Sequence, residues 1–137
     1  MERMTRQRSA IETSVTEAGR PLLPQEVLAL AQRAVPSLSI STVYRQLKAL
    51  VDDGAVRAVQ LAGEPPRYES AAQGHHHHFQ CTRCQRVFDV HGCPGTLAHL
   101  APAGFVVEDH EVTLYGRCAD CAPPQQRSTA QRRRAAA

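Results

Sequence analysis

Two Cys-x-x-Cys pairs constrain this chain more than any other feature. They are Cys81-Thr82-Arg83-Cys84 and Cys118-Ala119-Asp120-Cys121, with 33 residues between them. Each pair offers two sulfurs from one short hairpin. Together they complete the tetrahedral S₄ set that Zn²⁺ takes, with Zn–S distances of about 2.3 Å. A redox dithiol of the thioredoxin kind opens a helix, and neither pair here does so. A structural zinc site of Cys81, Cys84, Cys118 and Cys121 is therefore expected, and it ties the two ends of the interval together.

A histidine run, His75-His76-His77-His78, leads straight into the first pair. It is internal, unlike a purification tag. If residues 75–81 form a strand, as Phe79 favours, alternation puts His76 and His78 on one face and His75 and His77 on the other. One short stretch then feeds two metal sites on opposite faces. Solvated histidines with no ligand role are the alternative.

The 137 residues suit one or two small domains. The start, Met1-Glu2-Arg3-Met4-Thr5-Arg6, is polar, and no apolar run is long enough to span a membrane, so a cytoplasmic protein is expected. In that compartment five cysteines read as metal ligands or sensors before disulfides. With no Trp, stacking platforms for single-stranded nucleic acid are not expected. The net charge of +3 owes four positive charges to Arg127, Arg132, Arg133 and Arg134, so any nucleic-acid surface has to be local.

Apolar spacing predicts helices over about 5–18 (Ile11, Val15, Ala18), 24–34 (Val27, Leu28, Ala31, Ala34) and 41–52 (Val43, Leu47, Leu50, Val51). Gly19-Arg20-Pro21 is a turn, Pro24 suits the first helical position, and Ser41 is the expected cap of the third helix. Thr42, Tyr44, Arg45 and Lys48 lie off the apolar stripe. Two helices joined by a short turn, the second offering hydroxyls and cations, have the layout of a helix-turn-helix with its recognition helix. Residues 55–61 and 67–70 then read as a hairpin, the wing. Arg3, Arg6 and Arg8 crowd the first helix and suit phosphate contact.

The expected organisation is a winged-helix DNA-binding domain over 1–70, a hinge at 71–74, a metal-binding dimerisation domain over 75–122 and a disordered basic tail over 123–137. In the second domain, strands are expected at 86–90 and over 105–107 with 111–115, bent at Asp109-His110, and a very short helix between Gly95 and Leu100. The fold class is α/β of the α+β kind. Its apolar strands exceed what one short helix covers, which suggests a homodimer interface. An enzyme is not expected, since neither an HExxH motif nor a phosphate-cradling Gly-rich loop is present. A zinc-ribbon protein-interaction module is a further alternative.

Over about residues 5–122 the chain resembles the ferric uptake regulator family of metal-dependent repressors. The resemblance rests on Thr5-Arg6-Gln7-Arg8, Ser41-Thr42-Val43-Tyr44-Arg45, Arg67-Tyr68-Glu69, the His run into Cys81-x-x-Cys84, Leu114-Tyr115-Gly116 and Cys118-x-x-Cys121. It implies Arg8, Tyr44 and Arg45 as contacts to a double-stranded palindromic operator. It also implies a regulatory metal on Glu69, His76, His78 and Asp89. A second site would take His75, His77, His110 and one more ligand from 91–99, for which Cys93 is the candidate. The chain departs from the family where Pro21 stands at a position many members give to a ligating His. Cys93 is an extra thiol, and a soft donor favours Zn²⁺ over Fe²⁺ or Mn²⁺. Ser70 argues the other way, standing where zinc sensors often carry Cys. The expected function is zinc-responsive repression with Zn²⁺ as corepressor; an iron-, manganese- or peroxide-responsive regulator is the alternative.

Overall fold

The computed structural model describes residues 2–123. In order they form α1 (Glu2–Ala18), α2 (Pro24–Ala31), α3 (Ile40–Asp52), β1 (Val56–Val59), β2 (Arg67–Ser70), β3 (His77–Cys81), β4 (Val87–Val90), a 3₁₀ turn (Ala98–Leu100) and β5 (Thr113–Gly116). The expected basic tail, beyond Pro123, lies outside the described residues.

The helices form where the apolar spacing places them. α1 buries Ile11 and Val15, α2 buries Val27 and Ala31, and α3 buries Val43, Leu47 and Leu50. With Leu22, Leu38 and Val56 these side chains make one core. Each such aliphatic contributes about 1.5–3 kcal/mol on burial. α2 stops at Ala31 instead of continuing to 34; residues 32–34 tighten into turns in which the Arg33 and Ala34 N–H groups donate to the Leu30 and Ala31 carbonyls. The cap of α3 is Ser39 and not Ser41: the Ser39 hydroxyl accepts the Thr42 N–H at 3.3 Å, while Ser41 already sits inside the first turn. Gly54, at φ +78°, ends α3 in the left-handed conformation that glycine adopts without strain.

β1 and β2 pair antiparallel with Arg57 opposite Glu69. The turn at Gly19-Arg20-Pro21 leads into a bridge that the sequence did not suggest. Leu22 exchanges two backbone hydrogen bonds with Tyr68, at 2.9 and 2.8 Å, and so holds the α1–α2 connection on the edge of β2.

The second sheet has the order β4-β3-β5, with β3 antiparallel to β4 and parallel to β5. Its register sets His78 across from Asp89 on one side and Thr113 on the other. The wing docks on this sheet. Val59 and Leu61 pack with Val87, and buried Arg67 donates to the Gln85 carbonyl at 3.0 Å. Residues 105–107 are not a strand. Both edges of β3 are already paired, and Phe105 and Val106 are 71% and 85% exposed.

The capping assignment is checked by stability. Ser39→Ala is expected to cost about 1 kcal/mol in urea unfolding of the metal-loaded protein, and Ser41→Ala a few tenths. The reverse order would return the cap to Ser41.

Candidate metal centres

β3 and the residues just before it supply ligand-type side chains to three clusters. In each, one ligand atom per residue lies within 4.8 Å of the others among the described residues.

The first cluster is Cys81, Cys84, Cys118 and Cys121. β3 ends at Cys81 beside β5, and the parallel pairing of Cys81 with Gly116 brings Cys118 alongside. Backbone N–H groups of Cys84 and Cys118 each donate to the Cys81 sulfur at 3.4 Å and pull its thiol down to about 5. Arg86 donates from Nε to the Cys84 sulfur at 3.2 Å, which lowers that thiol as well. Burial and the neighbouring thiols push Cys121 up to about 12. Four sulfurs this close do not all ionise near neutral pH unaided. A dication that accepts four thiolates removes that conflict, so the donor set fits Zn²⁺.

The second cluster joins the wing to the second sheet. Glu69 is the next-to-last residue of β2 and is 1% exposed; His76, His78 and Asp89 come from β3, its approach and β4. The His76 Nδ1–H donates to the Gly74 carbonyl at 2.8 Å, which leaves Nε2 facing Glu69 Oε2 at 3.0 Å and Asp89 Oδ1 at 3.5 Å. A fixed tautomer of this kind is what orients a ligating imidazole. His78 Nε2 lies 3.3 Å from the same Glu69 oxygen. Burial raises the Glu69 carboxyl, but hydrogen bonds from His78, His76 and Arg57 outweigh it and hold the group at about 2. Asp89 goes the other way, raised by burial and then by the Glu69 charge, and neither of its buried oxygens has a hydrogen-bond partner. Two carboxylates and two imidazoles around such orphaned oxygens fit a divalent cation.

The third cluster lies on the opposite face of the 75–78 run. His75 Nε2 and His110 Nε2 are 3.2 Å apart, and the Cys93 sulfur is 3.3 Å from His110 and 3.6 Å from His75. His77 is buried; its Nδ1 accepts the Val112 N–H at 3.2 Å and its Nε2 has no partner. β3 begins at His77, two residues later than the strand expected over 75–81, yet His75 and His77 gather on this side and His76 and His78 on the other. Of the candidates in 91–99, Cys93 joins this cluster.

On the helix side, Tyr44, Arg45 and Lys48 are exposed on α3. Arg8 pairs with Asp53 at 2.6 Å and shares with Arg45 a recess of about 510 Å³ between α1 and α3. Thr42 departs from its expected place on the free face. It is buried, and its hydroxyl accepts from Ser39 Oγ at 3.0 Å and from Arg45 at 3.2 Å, so it orients Arg45. Two cations went unnoticed in the sequence, Arg57 beside Glu69 and Arg86 beside Cys84. Hairpin pairing of 55–61 with 67–70 is the one signal that pointed to Arg57.

A winged helix-turn-helix tied through a buried carboxylate to a sheet with three metal-type clusters is the architecture of a metal-responsive transcriptional regulator. The profile of the Ferric uptake regulator family matches residues 2–115, and the chain belongs to that family. It is 36% identical over 123 residues to the "Transcriptional regulator FurA" of Mycobacterium tuberculosis, covering 87% of this chain and 82% of that protein. It is 31% identical over 124 residues to the "Ferric uptake regulation protein 2" of Mycolicibacterium fortuitum, covering 87% and 85%. Among solved structures, a "zinc-bound manganese uptake regulator" superposes with a TM-score of 0.71 at 25% identity, over 82% of this chain and 87% of that one.

Two outcomes follow from the clusters. Cys81→Ser is expected to abolish chelator-resistant zinc and to remove amide protection across β3 and β5; full zinc retention by elemental analysis would contradict the S₄ assignment. Cation uptake at Glu69 has to displace a proton from His76. Burial lowers the His76 pKa, but the Gly74 carbonyl and Glu69 outweigh it and hold that proton above the usual 6.5. Mn²⁺ affinity at this cluster should therefore weaken as pH falls from about 8 to about 6, and a flat profile would contradict the ligand role of His76.

Proposed function

We propose that this chain is a repressor that binds a palindromic operator as a homodimer, with a divalent ion at Glu69, His76, His78 and Asp89 as corepressor. The observation that carries the reading is the place of Glu69. By sequence and pairing it belongs to the wing, yet its side chain lies among ligands of the other sheet. A cation bound there supplies the positive charge that lets Glu69 and Asp89 stay ionised side by side. In that state Glu69 holds the wing, and α3 with it, at a set angle to the second sheet. Residues 1–70 act as the DNA-binding unit, 71–74 as the hinge and 75–122 as the dimerising unit.

On the DNA, Arg45 meets phosphate or base, Tyr44 makes apolar contact with thymine, Lys48 and Arg8 meet phosphates, and Thr42 fixes Arg45. Leu100, Phe105, Val106, Leu114 and Tyr115 are exposed apolar side chains around the second sheet and supply the surface a second copy covers. Two copies then set their recognition helices into successive major-groove half-sites. The cytoplasm, where the operator is, is the proposed location; among the described residues no helix is long and apolar enough to cross a membrane.

The hinge donors are two carboxylates and two imidazoles without a thiol, which supports Fe²⁺ or Mn²⁺ as the regulatory ion. The relatives named above for ferric uptake and manganese uptake support the same side. Zinc is the second reading. It drew on Cys93, and that thiol stands with His75, His77 and His110 instead, so the soft-donor argument applies to their cluster.

The test is operator binding by fluorescence anisotropy across a metal titration. His76→Ala should abolish the metal-dependent increase in affinity while the Cys₄ zinc is retained. Arg45→Ala should weaken binding by about 1–3 kcal/mol with metal uptake unchanged. Metal-dependent binding that survives His76→Ala would refute the site.

A further inference from the structure

Among the described residues, Arg57 is the Lys or Arg side chain that bonds to the hinge cluster, and the proposed function gives it no role. It stands opposite Glu69 in the β1–β2 register. Its Nη2 donates to Glu69 Oε1 at 2.8 Å, its Nε reaches the same oxygen at 3.2 Å, and Nη2 lies 3.3 Å from His76 Nδ1. The two Glu69 oxygens are thereby divided: Oε1 belongs to Arg57, and Oε2 faces His76 and His78. The side chain is 43% exposed and lines, with Glu69, His78, Glu111 and Thr113, a recess of about 240 Å³ that opens beside the cluster.

We infer that Arg57 sets the metal affinity of the hinge site, by confining Glu69 to one ligand oxygen and by placing a fixed positive charge against the cation. The inference rests on the hinge-site reading and concerns how tightly that site holds its ion. Without a metal the guanidinium supplies the counter-charge that a buried carboxylate requires. With a metal it repels the incoming dication and withholds the second oxygen that a bidentate carboxylate would give. A sensor needs an ion it can release, and a built-in cation competing for the same carboxylate provides that. Because Arg57 sits at the mouth of the recess and outside the helical core, its replacement leaves packing intact.

The probe is Mn²⁺ alone, without DNA, titrated into the zinc-containing protein against a chelator of known affinity. A His110→Ala background silences the third cluster. Arg57→Gln is expected to tighten Mn²⁺ binding by about tenfold or more, because it removes the charge and frees Oε1. Arg57→Lys keeps the charge and should stay within about threefold of the parent. A purely structural ion pair predicts the opposite, weaker binding in Arg57→Gln as Glu69 loses its support. Unchanged or weaker binding in Arg57→Gln, with binding lost in His76→Ala, overturns the role of Arg57 alone. Mn²⁺ binding that survives His76→Ala overturns the hinge-site reading and this inference with it.

Discussion

The buried carboxylate of Glu69 is the point on which the relation between the two sheets depends. A charge 1% exposed persists only with partners, and this one draws them from two places: Arg57 on its own hairpin, and His76 and His78 at the next sheet. The wing is therefore joined to the second sheet by an electrostatic contact at Glu69, in addition to the apolar contact of Val59 and Leu61 with Val87. The apolar contact and the Arg67–Gln85 hydrogen bond involve none of the cluster's ligand-type side chains. In the proposed function, the Glu69 contact is the part that responds to the ion.

β3 is the element that makes three clusters fit in a unit this small. With the two residues before it, β3 sends His76 and His78 to one face and His75 and His77 to the other, and its last residue is Cys81. The parallel partner β5 carries Cys118 to the same end, so the chain crossing between the two pairs is closed by the sulfurs. The same sheet pairing thus fixes both the S₄ set and the spacing of His77 and His78.

Much of this was legible because it follows from short periods. The Cys-x-x-Cys spacing, the helical apolar stripes and the strand alternation at 75–78 need only local geometry. What the sequence did not disclose depends on contacts between elements. Ser39 and Ser41 are equivalent as caps until the start of α3 is known. Thr42 looks free on a helical wheel and is buried because the Ser39 cap folds over it. Phe105-Val106-Val107 has strand composition, but it pairs with no strand of either sheet and leaves Phe105 and Val106 exposed. Arg57 and Arg86 are ordinary charges in the sequence; each becomes part of a cluster only through its fold neighbours, Glu69 and Cys84. The reading of Cys93 shows the limit most sharply. The resemblance places it with His75, His77 and His110, where the structure also has it, but the sequence leaves 91–99 open for the fourth ligand, because sequence distance does not say which face of the sheet a loop returns to.

If Glu69 links metal and wing as argued, the ion and the DNA prefer the same arrangement, and each raises the affinity of the other by one factor. The most direct measurement is the Mn²⁺ affinity of the protein alone and saturated with a duplex selected by binding to the metal-loaded form. The account predicts tighter Mn²⁺ binding on DNA, by the same factor by which Mn²⁺ tightens DNA binding. Equal Mn²⁺ affinities with and without DNA would mean that the hinge cluster holds its ion without setting the wing.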